Sequence, residues 1–186
     1  MGREDRTGGR RPGRSLGRIV VAPAPGDRRR GLLIAAGFHA PCALGRAGTS
    51  RRKREGDGAT PIGSFRLVAL LYRADRVPRP QTALPVTAIR RDSGWCDDPT
   101  DRAYNREVRL PYPASHERLW RNDHLYDCVV VIDFNLKPAV PGKGSAIFLH
   151  LARPGHAPTE GCVAITPAAM RRLLPQLTPA TVIEIR

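Results

Sequence analysis

Ala146-Ile147-Phe148-Leu149-His150-Leu151 and Thr159-Glu160-Gly161-Cys162-Val163-Ala164-Ile165 are the two segments on which the reading of this chain turns. Each is a short apolar run next to Gly, Pro or charge, the mark of a buried strand rather than a helix. A histidine at the end of the first and a cysteine after glycine at the mouth of the second can meet as base and nucleophile. A thiol with a free pKa of about 8.5 is mostly protonated at neutral pH, so a neighbouring imidazole is needed to hold the thiolate and later return the proton. Gly161 permits a tight turn and a close approach of backbone to substrate, which makes the N–H groups of Gly161 and Cys162 the candidate donors to an oxyanion. A strand histidine alone is commonly a structural residue, and Gly-Cys pairs arise by chance, so the pair gains its weight from what flanks it.

Working outward, nearly every apolar run is short, β-branched or alternating, and the chain reads as a mainly β protein. The expected strands are Arg18 to Ala22, Gly31 to Ala36, His39 to Leu44, Gly63 to Tyr72, Thr82 to Ile89, Asp127 to Phe134, Ser145 to Leu151 and Thr181 to Ile185. Few long crossovers separate them, so the sheet is expected to be mixed or antiparallel. One helix is expected near the C-terminus, capped by Thr166, with Pro167 in its first turn, apolar Ala169, Met170, Leu173 and Leu174 at helical spacing, and an end before Pro179. Between Arg90 and Asn122 runs a polar, aromatic-containing stretch that reads as a long loop insertion, and loops of such length are usually functional or disordered. It is expected to form a lid or cleft wall presenting Trp95, Tyr104, Asn105, Arg109, Tyr112 and Trp120, or else to use its aromatics to anchor itself to the sheet.

With 186 residues, 41% of them hydrophobic, the chain suffices for one core and one domain. Residues 1–17, rich in Arg and Gly, read as a flexible basic arm, and 18–186 as the folded domain. No run reaches the roughly 18 apolar residues of a membrane span, and Ile19 to Ala22 is too short for the core of an export signal. The formal charge of +14 attracts polyanions in general. Only 5% of residues are aromatic and no nucleic-acid signature is present, so no specific nucleic-acid partner is expected. Cys42, Cys96, Cys128 and Cys162 lack metal-binding spacing, and a structural zinc is not expected. Cys42 and Cys128 lie in apolar surroundings and read as buried inert thiols, and at most one disulfide can form once one thiol is reserved for chemistry.

The combination resembles the YkuD or L,D-transpeptidase family, whose signature is a strand histidine, a variable loop and Ser/Thr-x-Gly-Cys. Here it is His150, the loop Ala152 to Pro158, and Thr159-Glu160-Gly161-Cys162. Gly45-Arg46-Ala47-Gly48 and Gly58-Ala59-Thr60-Pro61-Ile62-Gly63-Ser64-Phe65 look like the family's Gly-x-x-Gly turn and Thr-Pro-x-Gly-x-Phe segment, and the C-terminal helix and strand like its closing elements. The resemblance spans about Ile19 to Ile185 and implies a single β-sandwich or mixed-sheet catalytic domain with no cofactor and no metal. It implies that Cys162 opens an L-residue to D-residue bond of a peptidoglycan stem peptide, that His150 protonates the leaving amine, and that an acceptor amine takes the thioester to make a 3-3 or 1-3 cross-link. With water as acceptor the enzyme is an L,D-carboxypeptidase or endopeptidase. Arg153, Thr159, Trp95, Tyr104 and Asn105 are the expected substrate-binding set, with Arg153 suited to a substrate carboxylate. Three departures alter the donor pocket: a shorter loop before the cysteine, Leu151 after the histidine, and Ala164 two positions after the cysteine, where the family often has Arg. A papain-like amidase is disfavoured because the histidine precedes the cysteine, and a non-catalytic wall-binding or polyanion-binding module is the competing class. A monomer is expected, and the substrate implies the cell envelope or periplasm; with no export signal readable, either the start shown is incomplete, export takes an unusual route, or a cytoplasmic precursor is the substrate.

Overall fold

The structure, a computed structural model, describes residues 15–186. Its strands are β1 (Arg18–Ala24), β2 (Asp27–Ala35), β3 (Phe38–Ala43), β4 (Thr49–Ser50), β5 (Thr60–Pro61), β6 (Gly63–Tyr72), β7 (Val86–Ala88), β8 (Ser93–Cys96), β9 (Glu107–Arg109), β10 (His116–Arg118), β11 (Cys128–Ile132), β12 (Phe148–Leu151), β13 (Val163–Ile165) and β14 (Val182–Ile185). The one α-helix among the described residues, α1 (Pro167–Leu173), is capped as expected: the Thr166 hydroxyl accepts the Ala169 N–H at 3.2 Å. No helix among them is long and apolar enough to cross a membrane.

Nine strands form one mixed sheet in the order β11-β12-β13-β3-β2-β1-β14-β6-β7, and β6 also pairs with β11. That extra pairing, Cys128 opposite Tyr72 through Val131 opposite Ala69, closes the sheet on itself, so the packed faces of the expected sandwich belong to one continuous sheet. The interior is filled by alternate residues of its strands, among them Ile19 and Val21, Leu33, Leu67 and Leu70, Val130 and Ile132, Leu149 and Leu151, Val163 and Ile165, with Met170 and Leu173 of α1 packed on them. The intervening residues of β11 and β12, Val129, Val131 and Phe148, join a second cluster with Leu71, Trp95, Leu119, Tyr126 and Cys162. Burial on both faces is why Cys128–Ile132 and Phe148–Leu151 carry unbroken apolar runs instead of alternation.

The second cluster exists because of the insertion, and here the loop expectation is corrected. Residues 90–122 fold as a three-stranded antiparallel sheet, β10-β8-β9, with His116 opposite Cys96 and Trp95 opposite Glu107. Strands of three or four residues between polar turns are too short to show a period of two. The expected strand Thr82 to Ile89 shortens to Val86–Ala88, since Pro85 has no N–H to give a ladder and Thr82 Oγ1 caps a local turn at Leu84 N–H. β12 begins only at Phe148, because Ala146 takes a left-handed φ of 51°. Of the expected arm 1–17, residues 1–14 lie outside the described residues; Leu16 is buried and its N–H donates to Gln176 O at 2.9 Å.

Candidate active site

β12 and β13 run parallel, with Leu149 opposite Val163, His150 opposite Ala164 and Leu151 opposite Ile165. Strand alternation sends Leu149, Leu151, Val163 and Ile165 to the interior and leaves Phe148, His150, Cys162 and Ala164 on the opposite face. A step of two residues along one strand and one strand across puts the Cys162 and His150 Cα atoms about 8 Å apart, within reach of two side chains on one face. Both line a cleft of about 520 Å³, and both are nearly buried, at 8% and 5% exposure.

Cys162 is held by backbone. Its thiol donates to Ala146 O at 3.2 Å, and its Sγ accepts the Phe148 N–H at 3.3 Å. His150 Nδ1 lies 2.9 Å from Leu151 O, and because a carbonyl only accepts, Nδ1 carries the proton and Nε2 keeps its lone pair. No hydrogen bond joins the two side chains in this state. Burial pushes the Cys162 thiol up to about 12, against the opposing Phe148 N–H. Burial likewise pushes His150 down to about 4, against the Leu151 carbonyl. Both shifts favour the uncharged forms, a neutral thiol resting beside a neutral imidazole, where the sequence suggested an imidazole-stabilised thiolate.

The Thr159-Glu160-Gly161-Cys162 turn is bonded to itself and to β5. Thr159 Oγ1 donates to Cys162 O at 2.6 Å and accepts the Gly161 N–H at 3.1 Å. Thr60 Oγ1 accepts the Gly45 N–H at 2.8 Å and reaches Cys162 O at 3.5 Å. Gly161 sits at φ 136°, and a Cβ there would stand 2.8 Å from Ala59 O, so only glycine fits. Its N–H is engaged by Thr159, which corrects the two-donor oxyanion reading and leaves the Cys162 N–H, without a hydrogen-bond partner among the described residues, as the candidate donor.

The family model for the L,D-transpeptidase catalytic domain, YkuD, matches residues 29–185. The chain belongs to the YkuD family. Among solved structures it is similar to the crystal structure of Mycobacterium tuberculosis L,D-transpeptidase 1, with 13% identity, a TM-score of 0.39, and coverage of 90% of this chain and 60% of that one. It is also similar to the structure of the L,D-transpeptidase LdtMt1 in complex with imipenem, with 14% identity, a TM-score of 0.40, and coverage of 92% and 59%. The chain thus spans about 60% of the length of these solved relatives. No protein of the curated set matches it.

In this YkuD domain, three of the expected substrate-binding residues stand behind the cleft wall instead of in it. Trp95 is buried edge-on against Phe148, with ring centroids 5.1 Å apart, and its Nε1–H donates to Asn105 Oδ1 at 2.9 Å. Asn105 is 1% exposed. Tyr104 donates to Glu55 Oε2 at 2.5 Å. The reason is packing: the apolar outer face of β11 and β12 needs a cover, which Trp95 supplies with Leu119 and Tyr126, while Tyr104 and Asn105 are tied by hydrogen bonds to the segments around it. Arg153 and Thr159 do line the cleft, Arg153 exposed at its rim and Thr159 tied into the turn. Of the other residues expected on the insertion, Trp120 lies under the Arg73 guanidinium at 3.6 Å, Tyr112 donates to Asp101, and Arg109 is exposed on β9.

Sequence reasoning missed Glu117, Arg121 and Tyr126. Tyr126 packs edge-on against His150 at 5.2 Å, and its hydroxyl donates to Glu117 Oε1 at 3.0 Å. Arg121 pairs with Asp123 at 2.7 Å and reaches Glu117 at 3.4 Å. Burial raises Glu117, opposed by the Tyr126 hydroxyl and Arg121. Nothing in the local sequence marks them; Glu117 and Arg121 come to the cleft on the folded insertion, and Tyr126 from the turn that leads into β11. All four cysteines are free and buried, with burial pushing Cys42 up to about 12 and Cys128 to about 11.

Proposed function

We propose that the domain is a peptidoglycan L,D-transpeptidase working through Cys162 and His150. The observation that carries the reading is the placement of this thiol and this imidazole side by side on one face of β12 and β13, at a cleft of about 520 Å³ that suits a short peptide. As Cys162 Sγ attacks the carbonyl of an L-residue joined to a D-residue, the thiol proton passes to His150 Nε2. Negative charge develops on the carbonyl oxygen and is met by the Cys162 N–H. Collapse breaks the C–N bond, and His150 protonates the departing D-amine and becomes neutral again. The thioester is then attacked by the side-chain amine of a second stem peptide, His150 takes that amine's proton, and the thiol is regenerated as the cross-link forms. Water in place of the amine gives L,D-carboxypeptidase or endopeptidase action. Arg153 at the rim is the residue for a stem-peptide carboxylate, and the substrate assigns the domain to the cell envelope.

The test is incubation with purified muropeptides, wild type beside Cys162→Ala, read by mass spectrometry. Dimers formed with loss of a D-amino fragment, absent with Cys162→Ala, are the expected result, and their fragmentation locates the 3-3 or 1-3 link. Shortened monomers alone would make the domain a hydrolase. Turnover that survives Cys162→Ala would remove the thiol mechanism, and binding without turnover in wild type would leave a wall-binding module.

A further inference from the structure

Two consecutive residues of the turn between β8 and β9 grip the segment that leads into β12. Tyr104 Oη accepts the Gly144 N–H at 2.9 Å, and Asn105 Oδ1 accepts the Ala146 N–H at 3.0 Å. The Asn105 carboxamide is fixed from every side: Oδ1 also accepts from Trp95 Nε1, while Nδ2 donates to Phe134 O at 3.1 Å and to Asn135 O at 2.7 Å. Its two donors and both acceptor positions are filled, and a flipped amide would mismatch all four bonds. Asn105 itself adopts φ 57°, a left-handed value that Asn tolerates better than most residues. Ala146 stands at φ 51°, which alanine rarely holds unless its surroundings impose it. The carbonyl of that same Ala146 accepts the Cys162 thiol at 3.2 Å.

We propose that Asn105 is a positioning residue for the nucleophile: by holding the Ala146 N–H it keeps Ala146 left-handed, aims the Ala146 carbonyl at Cys162, and so sets the direction of Sγ in the cleft. The insertion is a clamp on the thiol. This rests on Cys162 as the nucleophile but not on the identity of the peptide it opens. An Asn105→Asp substitution would keep an acceptor for the Ala146 N–H but turn carboxylate oxygen toward the carbonyls of Phe134 and Asn135, so the chemistry calls for an amide at this position.

The test uses Asn105→Gly, which keeps the left-handed backbone and removes the carboxamide, and Trp95→Phe, which keeps a ring against Phe148 and removes only the indole donor. Alkylation of Cys162 by iodoacetamide is followed by peptide mass spectrometry across pH, and kcat and KM are measured on muropeptides. Loss of the Ala146 acceptor removes a contact that favours the protonated thiol, so in Asn105→Gly alkylation at pH 8 rises about tenfold. At the same time kcat falls about 10- to 100-fold through misdirected Sγ, while KM changes less than about twofold. Glu117 and Lys53, whose charges also bear on Cys162, are untouched in both variants, as are the uncharged Tyr126 and His150 on the same face. Trp95→Phe moves both rates the same way by less, and adds nothing in the Asn105→Gly background.

A folded Asn105→Gly with unchanged alkylation and unchanged kcat overturns the proposal, and so does a Trp95→Phe effect that persists undiminished in the double variant. A role confined to packing lowers the melting temperature of both variants without driving the two rates in opposite directions, and that outcome also overturns it. If Asn105→Gly does not fold, Trp95→Phe alone decides, and an unchanged alkylation profile there refutes the clamp. If no muropeptide is turned over by wild type, the transpeptidase reading fails while the alkylation profile still decides the positioning role.

Discussion

Replacing His150 by glutamine should remove a specific limb from the pH dependence of stability. The imidazole titrates near 6.5 in an unfolded chain and is pushed down to about 4 in the fold by burial. Between those values the unfolded chain binds a proton that the folded chain does not, so stability falls as pH falls from about 6.5 to about 4 and the penalty is complete below that window. The span corresponds to about 3 kcal/mol at full development, of which about 2 kcal/mol is already lost at pH 5 relative to pH 7. The side chain introduced by His150→Gln retains an amide that can donate to the Leu151 carbonyl, but it does not titrate. Urea unfolding of both proteins at pH 7, 6, 5 and 4.5 measures the difference. The expected result is an unfolding free energy that drops more steeply for wild type, by about 2 kcal/mol more than the variant's between pH 7 and pH 5. Glu117, raised by burial, works in the opposite sense above its ordinary range, and it is present in both proteins and cancels in the comparison. Parallel curves would refute the buried neutral imidazole, and with it the neutral resting pair.

Two further outcomes follow from the same geometry. Alkylation of Cys162 in wild type should be slow at pH 7 and rise about tenfold per pH unit through pH 9 and beyond, because the buried thiol keeps its proton; a rate already level below pH 7, followed by peptide mass spectrometry, would reveal a thiolate-imidazolium pair instead. Gly45→Ala should cost about 2 kcal/mol or more in thermal or urea unfolding, since the new Cβ would stand 2.3 Å from Gly58 O and 2.9 Å from Thr60 N, backbone atoms that cannot swing aside; an unchanged midpoint would show that the Gly45 and Thr60 segments are free to part.

The apolar runs and their punctuation were enough to read a mainly β domain, the span of β6 to the residue, and the cap and first turn of α1. His150 and Cys162 were legible as candidates from their strand and turn settings, and the flanking Gly-x-x-Gly, Thr-Pro-x-Gly-x-Phe and Thr-x-Gly-Cys segments, through the family they resemble, gave the pair its weight. Local signals also singled out Trp95, Tyr104 and Asn105 but assigned them to the substrate, whereas the fold packs them behind the cleft wall. A buried aromatic that covers a sheet and one that faces a ligand look the same along the chain.

What the sequence by itself determined, then, was which residue types are available for the chemistry and on which kinds of element they stand. Only the tertiary structure decided that the sheet closes through β6 and β11, that the insertion is a sheet covering the outer face of β12, and that Gly161 gives its N–H to Thr159. Only it decided that Glu117 and Tyr126 sit beside His150. The protonation state of the pair belongs to the same class. Desolvation depends on every atom packed around a group, contributed from strands and turns far apart in sequence, so a thiol held near 12 and an imidazole near 4 exist only once the chain has folded around them.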